Sequence, residues 1–200
     1  MPTSRLSTLS LAIIASGSTH AVTIDFESLI PYETVSGYSQ DGYIISTNHP
    51  NGFRNIGPST SLNYTGSSTL TPIQTGSTTS LTRINSETFD LNSIDLAELL
   101  DSPAGNSPTS VVFTGIYQGG GSASYTANLD LNFGLETFDF GSLFHNVVSV
   151  SWKQGNPFHQ FDNIVIDETS VTISAPATLA LLGLGFVGTG LAQYKRKEAV

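Results

Sequence analysis

The chain has 200 residues, with 16 acidic and seven basic side chains and a formal net charge of −9 at neutral pH. It contains no cysteine, which excludes disulfides, thiol nucleophiles and cysteine-ligated metals. Between residues 22 and 173 stand 15 acids and only three bases, Arg54, Arg83 and Lys153; a field of that sign repels phosphate backbones and excludes nucleic acid as a partner.

The first segment reads as an address. Arg5 precedes an apolar run, "LSTLSLAIIASG" from Leu6 to Gly17, and "STHA" then places Thr19 and Ala21 where a cleavage site needs small residues. This pattern predicts a secretory signal peptide over residues 1–21, cut after Ala21. Residues 22–170 are expected to form the folded body.

Within that body, short apolar runs alternate with turn clusters such as "NHPNG", "DSPAGNSP", "QGGG" and "KQGNP". Punctuation of this kind, with no helical period, predicts an all-β domain of eight to ten strands in a two-sheet, jelly-roll-like sandwich. "STSLNYTGSSTLTPIQTGSTTS", from Ser59 to Ser80, holds 13 Ser or Thr among 22 residues. It reads as polar edge strands joined by a loop, or as an O-glycosylated segment; Asn63-Tyr64-Thr65 also fits the N-glycosylation pattern. "LAELL", Leu96 to Leu100, is too short for a helix and sits in a strand-like setting. "SVVFTGIY" and "FDNIVI" are apolar on both parities, which predicts central strands covered on both faces. "ASYTANLDLNF" alternates strictly, so Ala123, Tyr125, Ala127, Leu129, Leu131 and Phe133 are expected to face one way. "TFDF" sends Phe138 and Phe140 inward, and "VVSVSW" groups Val148, Val150 and Trp152 in the core.

Two carboxylates stand out. Glu27 is expected in the first strand of the mature chain and Asp162 in the last. First and last strands of a sandwich often run side by side, so the two acids are expected to converge, with Asp25 or Asn163 as neighbours. Calcium takes six to eight oxygens, mostly from carboxylates and carbonyls, and Glu27 with Asp162 makes a candidate calcium pair. In "WKQGNPFHQF", Phe158 and His159 are candidate ligand contacts, because an aromatic face can stack on the C–H face of a sugar.

Signs of catalysis are sparse. There is no Gly-x-Ser-x-Gly elbow and no His-Glu-x-x-His, so no catalytic residue is assigned. "GLGFVG", Gly183 to Gly188, fits a dinucleotide fingerprint in letters only, since it lies in an apolar run near the chain end with no βαβ unit after it. A carboxylate pair of the glycosidase type stays open on spacing alone.

The tail is a second address. Ala177 to Ala192 is almost wholly apolar, about 24 Å long as a helix. Extension to residues 177–194 and beyond brings it toward the ~30 Å of a hydrocarbon core. Lys195, Arg196 and Lys197 follow directly; the positive-inside rule keeps them cytoplasmic and puts the body across the inner membrane.

"PATLALLGLGFVGTGLAQYKRK" resembles the C-terminal sorting signal of PEP-CTERM exported proteins over about 25 residues. The resemblance implies recognition by an exosortase, a membrane protease/transpeptidase of bacteria that make exopolysaccharide. Ser174, Ala175, Pro176, Ala177 and Thr178 would form the recognised stretch, the Leu/Gly helix the membrane-retained part of residues 171–200, and Lys195, Arg196 and Lys197 the orienting cluster. Ile173-Ser174-Ala175-Pro176 stands where the family carries Val-Pro-Glu-Pro, and an uncut chain would remain membrane-anchored. "TIDFESL", "ETFDLNSIDLAEL" and "FDNIVI" are similar to β-sandwich members of that family, and the arrangement also resembles carbohydrate-binding jelly rolls in which early and late acids meet at a structural calcium. The expected protein is therefore a non-catalytic exported or cell-surface sandwich associated with envelope or exopolysaccharide. The alternatives are a calcium-stabilised carbohydrate-binding module and a glycan hydrolase.

Overall fold

The structure, a computed structural model, describes residues 21–58, 64–99, 109–132 and 134–167. The segment expected to be a signal peptide, up to residue 20, the glycosylation candidate Asn63, and the stretch expected to hold a sorting signal with a helix over 177–194 lie outside the described residues. Among the described residues no helix is long and apolar enough to cross a membrane.

The body is an all-β, two-sheet sandwich, as its alternating pattern predicts. The strands in chain order are β1 (Ala21–Ile24), β2 (Thr34–Val35), β3 (Gly37–Gln40), β4 (Tyr43–Thr47), β5 (Phe53–Ile56), β6 (Thr69–Pro72) and β7 (Thr78–Arg83). After one 3-10 turn at Ile84–Ser86 come β8 (Asp90–Glu98), β9 (Ser110–Tyr117), β10 (Ser122–Asn128), β11 (Glu136–Asp139), β12 (Val147–Lys153) and β13 (His159–Asp167). The seven-stranded sheet runs β11-β8-β13-β6-β5-β2, with β1 added on β13; the six-stranded sheet runs β10-β9-β12-β7-β4-β3. The 13 strands among the described residues exceed the eight to ten expected because several are only two to four residues long, too short to leave a periodic signature.

The core is aromatic. Phe161 on β13 meets Trp152 on β12 edge-on, with ring centroids 5.1 Å apart at 90°. From Phe161 the contacts continue to Phe26 at 5.6 Å and Phe53 at 6.1 Å. From Trp152 they continue through Phe113 at 5.3 Å to Phe140 at 5.2 Å. Each such pair contributes about 0.5–1.5 kcal/mol beyond the area it buries. Trp152 is 1% exposed and is a core residue.

Several expectations are corrected. The described residues of Ser59–Ser80 supply no edge strand: β6 is fully buried between β5 and β13, and β7 lies inside the six-stranded sheet between β12 and β4. The run "ASYTANLDLNF" stops as a strand at Asn128; Leu131 takes a φ of 70° and is 48% exposed, because the chain turns there. A bulge between Val147 and Ser149 buries Val147 where Val148 was expected. β9 is not covered on both faces: Val112 and Ile116 point outward and are 50% and 40% exposed.

Gly115 shows why β9 can lie so close to the loop before β12. A Cβ there would sit 2.6 Å from Cδ1 of Phe144 and 3.2 Å from Val147. Gly115→Ala is expected to lower unfolding free energy by about 1–3 kcal/mol through overpacking. Gly119→Ala, in a turn with nothing within 4 Å, should stay within about 0.5 kcal/mol of the parent. Urea titration of the two variants checks the contrast.

Candidate functional site

The site arises from a break in one ladder. Along one edge β13 pairs with β8 from His159 to Asp167. Its other edge is shared: β6 takes it at Phe161, opposite Leu70, and β1 takes it from Ile164 to Asp167. Asp162 and Asn163 fall between these partners, where the β8 register shifts and Asn163 adopts a φ of 44°. The segment leaving β1 brings Glu27 to this gap, and the segment entering β6 brings Ser67 and Ser68. The first and last strands thus run side by side, as their positions in the sequence suggested.

Alternation fixes which side chains arrive. Phe161 is fully buried between the sheets, so Asp162, the next residue of β13, leaves toward the other face; Glu27 lies beyond the end of β1, in the turn after the buried Phe26. Glu27 is steadied by its own turn: its amide donates to Oδ1 of Asp25 at 3.3 Å, and the Leu29 amide donates to the Phe26 carbonyl at 3.0 Å.

The two carboxylates converge on one hydroxyl. Ser67 Oγ lies 2.7 Å from Glu27 Oε1 and 2.5 Å from Asp162 Oδ2, and the Ser68 amide donates to Glu27 Oε1 at 2.9 Å. A serine hydroxyl carries one proton, so it serves one carboxylate at a time. Asp162 is 0% exposed, and its other oxygen, Oδ1, has no hydrogen-bond partner among the described residues. Burial pushes the Asp162 carboxyl up to about 6, against the pull of the Ser67 and Asn163 hydrogen bonds and with a further push from the Glu27 and Asp95 charges. The Ser67 hydroxyl, and then the Ser68 amide, hold Glu27 below its ordinary range. Below about pH 6, with Asp162 protonated, the arrangement is a chain: Asp162 donates to Ser67, and Ser67 donates to ionised Glu27. Once Asp162 ionises, two negative groups face one donor, and a buried oxygen is left bare at a cost of about 1–3 kcal/mol.

An oxygen-seeking cation fits that second state. It would satisfy the bare Oδ1 and neutralise the pair, with Glu27, Asp162 and Ser67 as the side-chain donors. Among the described residues no group of three or more acidic or histidine side chains is placed to hold a metal, so calcium here would complete its shell from main-chain carbonyls and water. Asp25 and Asn163 are engaged elsewhere. Asp25 Oδ1 accepts from Glu27, and Asn163 Nδ2 donates to Asp95 Oδ2 at 2.9 Å.

Of the two candidate ligand contacts, Phe158 and His159, the second is corrected. His159 is 0% exposed, on the same side of β13 as Phe161, and neither ring nitrogen has a hydrogen-bond partner among the described residues. Burial holds its pKa down to about 3, so it is a neutral core residue with no face for a sugar. Phe158 is half-buried. Sequence reading missed Ser67 altogether, because a serine in a Ser/Thr-rich run carries no distinguishing signal. It also missed the buried amide Gln154, whose Nε2 donates to Thr71 Oγ1 and to the His159 carbonyl, both at 3.0 Å.

These groups give opposite pH dependences. His159 binds its proton more readily unfolded than folded, so its contribution to stability is complete above about pH 6.5 and falls as pH drops toward 3. Asp162 binds its proton more readily folded, so without a cation its contribution falls as pH rises from about 4 through 6. Asp162→Asn, a neutral mimic of the acid, should gain stability relative to the parent across that window. His159→Leu should blunt the acid loss. Urea unfolding of both variants at several pH values in chelator measures the two slopes.

No family model matches the chain, and no curated protein is similar to it. Among solved structures it is similar to a family 29 carbohydrate-binding module, with a TM-score of 0.38 and 17% identity over 81% of this chain and 98% of that one. A mutant described as a probe of ligand recognition by family 29 modules matches with a TM-score of 0.36 and 17% identity, over 75% of this chain and 93% of that one.

Proposed function

We propose that this chain is a non-catalytic, exported β-sandwich that binds neutral carbohydrate at the cell envelope and is clamped by calcium at Glu27, Ser67 and Asp162. The observation that carries the clamp is the convergence of two carboxylates on a single hydroxyl beside a buried Asp162 oxygen that has no partner among the described residues. Calcium there would tie β1, β6 and β13 together at the point where their ladder is interrupted. A cation is a means of stability without disulfides in a chain that has no cysteine.

The same geometry disfavours a glycan hydrolase built on this pair. Ser67 stands between the two acids, where a scissile oxygen would have to enter, and Asp162 is shut off from solvent. A paired-acid mechanism needs room for the sugar or its attacking water between the carboxylates. Ligand class is supported by charge: the acidic body disfavours polyanions and leaves neutral sugars as partners. Export, the exosortase partnership and passage through the inner membrane rest on the two terminal segments of the sequence.

Calcium at about 10 mM, above the ~10⁻⁴–10⁻³ M range of extracellular sites, should raise the melting temperature near neutral pH. A ligand at 100 times its Kd adds about 2.7 kcal/mol. The rise should shrink below about pH 5, where protons compete for Asp162, and vanish in Glu27→Gln and Asp162→Asn. A melting temperature indifferent to calcium at neutral pH sinks the clamp. Intact-mass analysis of the mature protein from its host tests the addresses: the expected mass lacks residues 1–21 and the segment after the Ser174–Pro176 stretch.

A further inference from the structure

The outer face of the six-stranded sheet has an order that no single strand reveals. Cross-strand registers place Ser124 on β10 opposite Thr114 on β9, then Ser151 on β12, Ser80 on β7, Ser46 on β4 and Gly37 on β3. One row of five hydroxyl residues and a glycine therefore crosses all six strands. At about 4.8 Å per strand the row is about 24 Å long. Thr114 Oγ1 and Ser124 Oγ lie 3.4 Å apart at one end of it.

The adjacent row alternates. Ile116 stands between Ser122 and Ser149, and Ile44 between Thr82 and Ser39. Ile116 and Ile44 are 40% and 37% exposed, and Val112, on the other side of the hydroxyl row, is 50% exposed. Lys153, at the end of β12, is the one charged side chain that the strand registers put on this face, in a body with 15 acids between residues 22 and 173. Acidic side chains are thus kept off this surface while they dominate the rest.

We propose that this face binds a single extended chain of neutral polysaccharide laid across the strands, an inference that rests on the carbohydrate-binding reading above and assigns it a surface. Hydroxyls at strand spacing offer a repeated donor and acceptor to a polyol whose sugars advance by a similar step. The flanking aliphatics meet the C–H faces of the rings. With so little charge on the face, a neutral partner avoids the cost of stripping water from ions, and an anionic one gains only Lys153. The aliphatics are separated by hydroxyl positions and include no aromatic or Met, unlike the apolar, aromatic-rich centre of a protein interface. Sheet twist of roughly 20–25° per strand turns the row, which suits one chain that can follow it rather than a flat crystal surface.

Native affinity electrophoresis tests the assignment with the whole folded protein in gels holding hydroxyethylcellulose, soluble starch or alginate. Retardation is expected in hydroxyethylcellulose and not in alginate. Ser151→Asp and, on exposed β10, Ser124→Glu should each weaken retention at least tenfold with little change in melting temperature. Thr34→Asp, on the edge of the other sheet, should leave it unchanged. Retention by hydroxyethylcellulose that survives both row variants would overturn this surface while leaving carbohydrate binding in place. Absence of retention in either neutral gel, or equal retention in alginate, would overturn both. A concentration-dependent dimer in gel filtration that Ser151→Asp dissolves would reassign the face to self-association and overturn the proposal.

Discussion

The contact between Phe161 and Trp152 is the constraint on which the rest of the sandwich depends. It joins the two sheets edge to face at 5.1 Å, and the other large rings extend from its two ends. Because β13 carries Phe161 inward, pleating sends Asp162 the other way. The residue that holds the core and the residue that makes the candidate site are consecutive, so neither can change face without the other. A one-residue slip of β13 would expose an aromatic and bury a carboxylate between the sheets.

The break in the ladder beside β13 converts that placement into chemistry. β6 and β1 each claim part of one edge, and the gap between them admits Glu27 and Ser67 to Asp162. Two acids and one hydroxyl proton form a balanced set only while one acid is protonated or a cation is present. Burial raises Asp162 toward the pH at which that exchange takes place, and hydrogen bonds keep Glu27 ionised on the exposed side. The asymmetry comes from environment, since the two groups are chemically alike.

The two outer faces differ in kind. On β6 of the seven-stranded sheet, the Thr71 hydroxyl is withdrawn from solvent and satisfied locally: its Oγ1 donates to the His159 carbonyl at 2.9 Å and accepts at 3.0 Å from Nε2 of Gln154, in the segment after β12. On the six-stranded sheet the hydroxyls are left facing outward with few partners of their own kind. Thr and Ser are suited to both uses, because their small side chains sit flat on a pleated surface and carry a donor and an acceptor each.

The sequence by itself determined the class of fold, the core identity of Trp152, and the meeting of Glu27 with Asp162, because period-two alternation and strand order are local or nearly local properties. It did not determine strand number or the fate of the Ser/Thr-rich stretch. β6 and β7 look like edge strands in composition, yet they are buried or central, since burial depends on which strands flank them. Nor did it distinguish Ser67 from its neighbours, separate His159 from a surface aromatic, or show that Val112 and Ile116 lack a covering layer. Only the tertiary structure decided these points. Each depends on cross-strand register between residues tens of positions apart, and a linear pattern holds no record of which strand lies beside which.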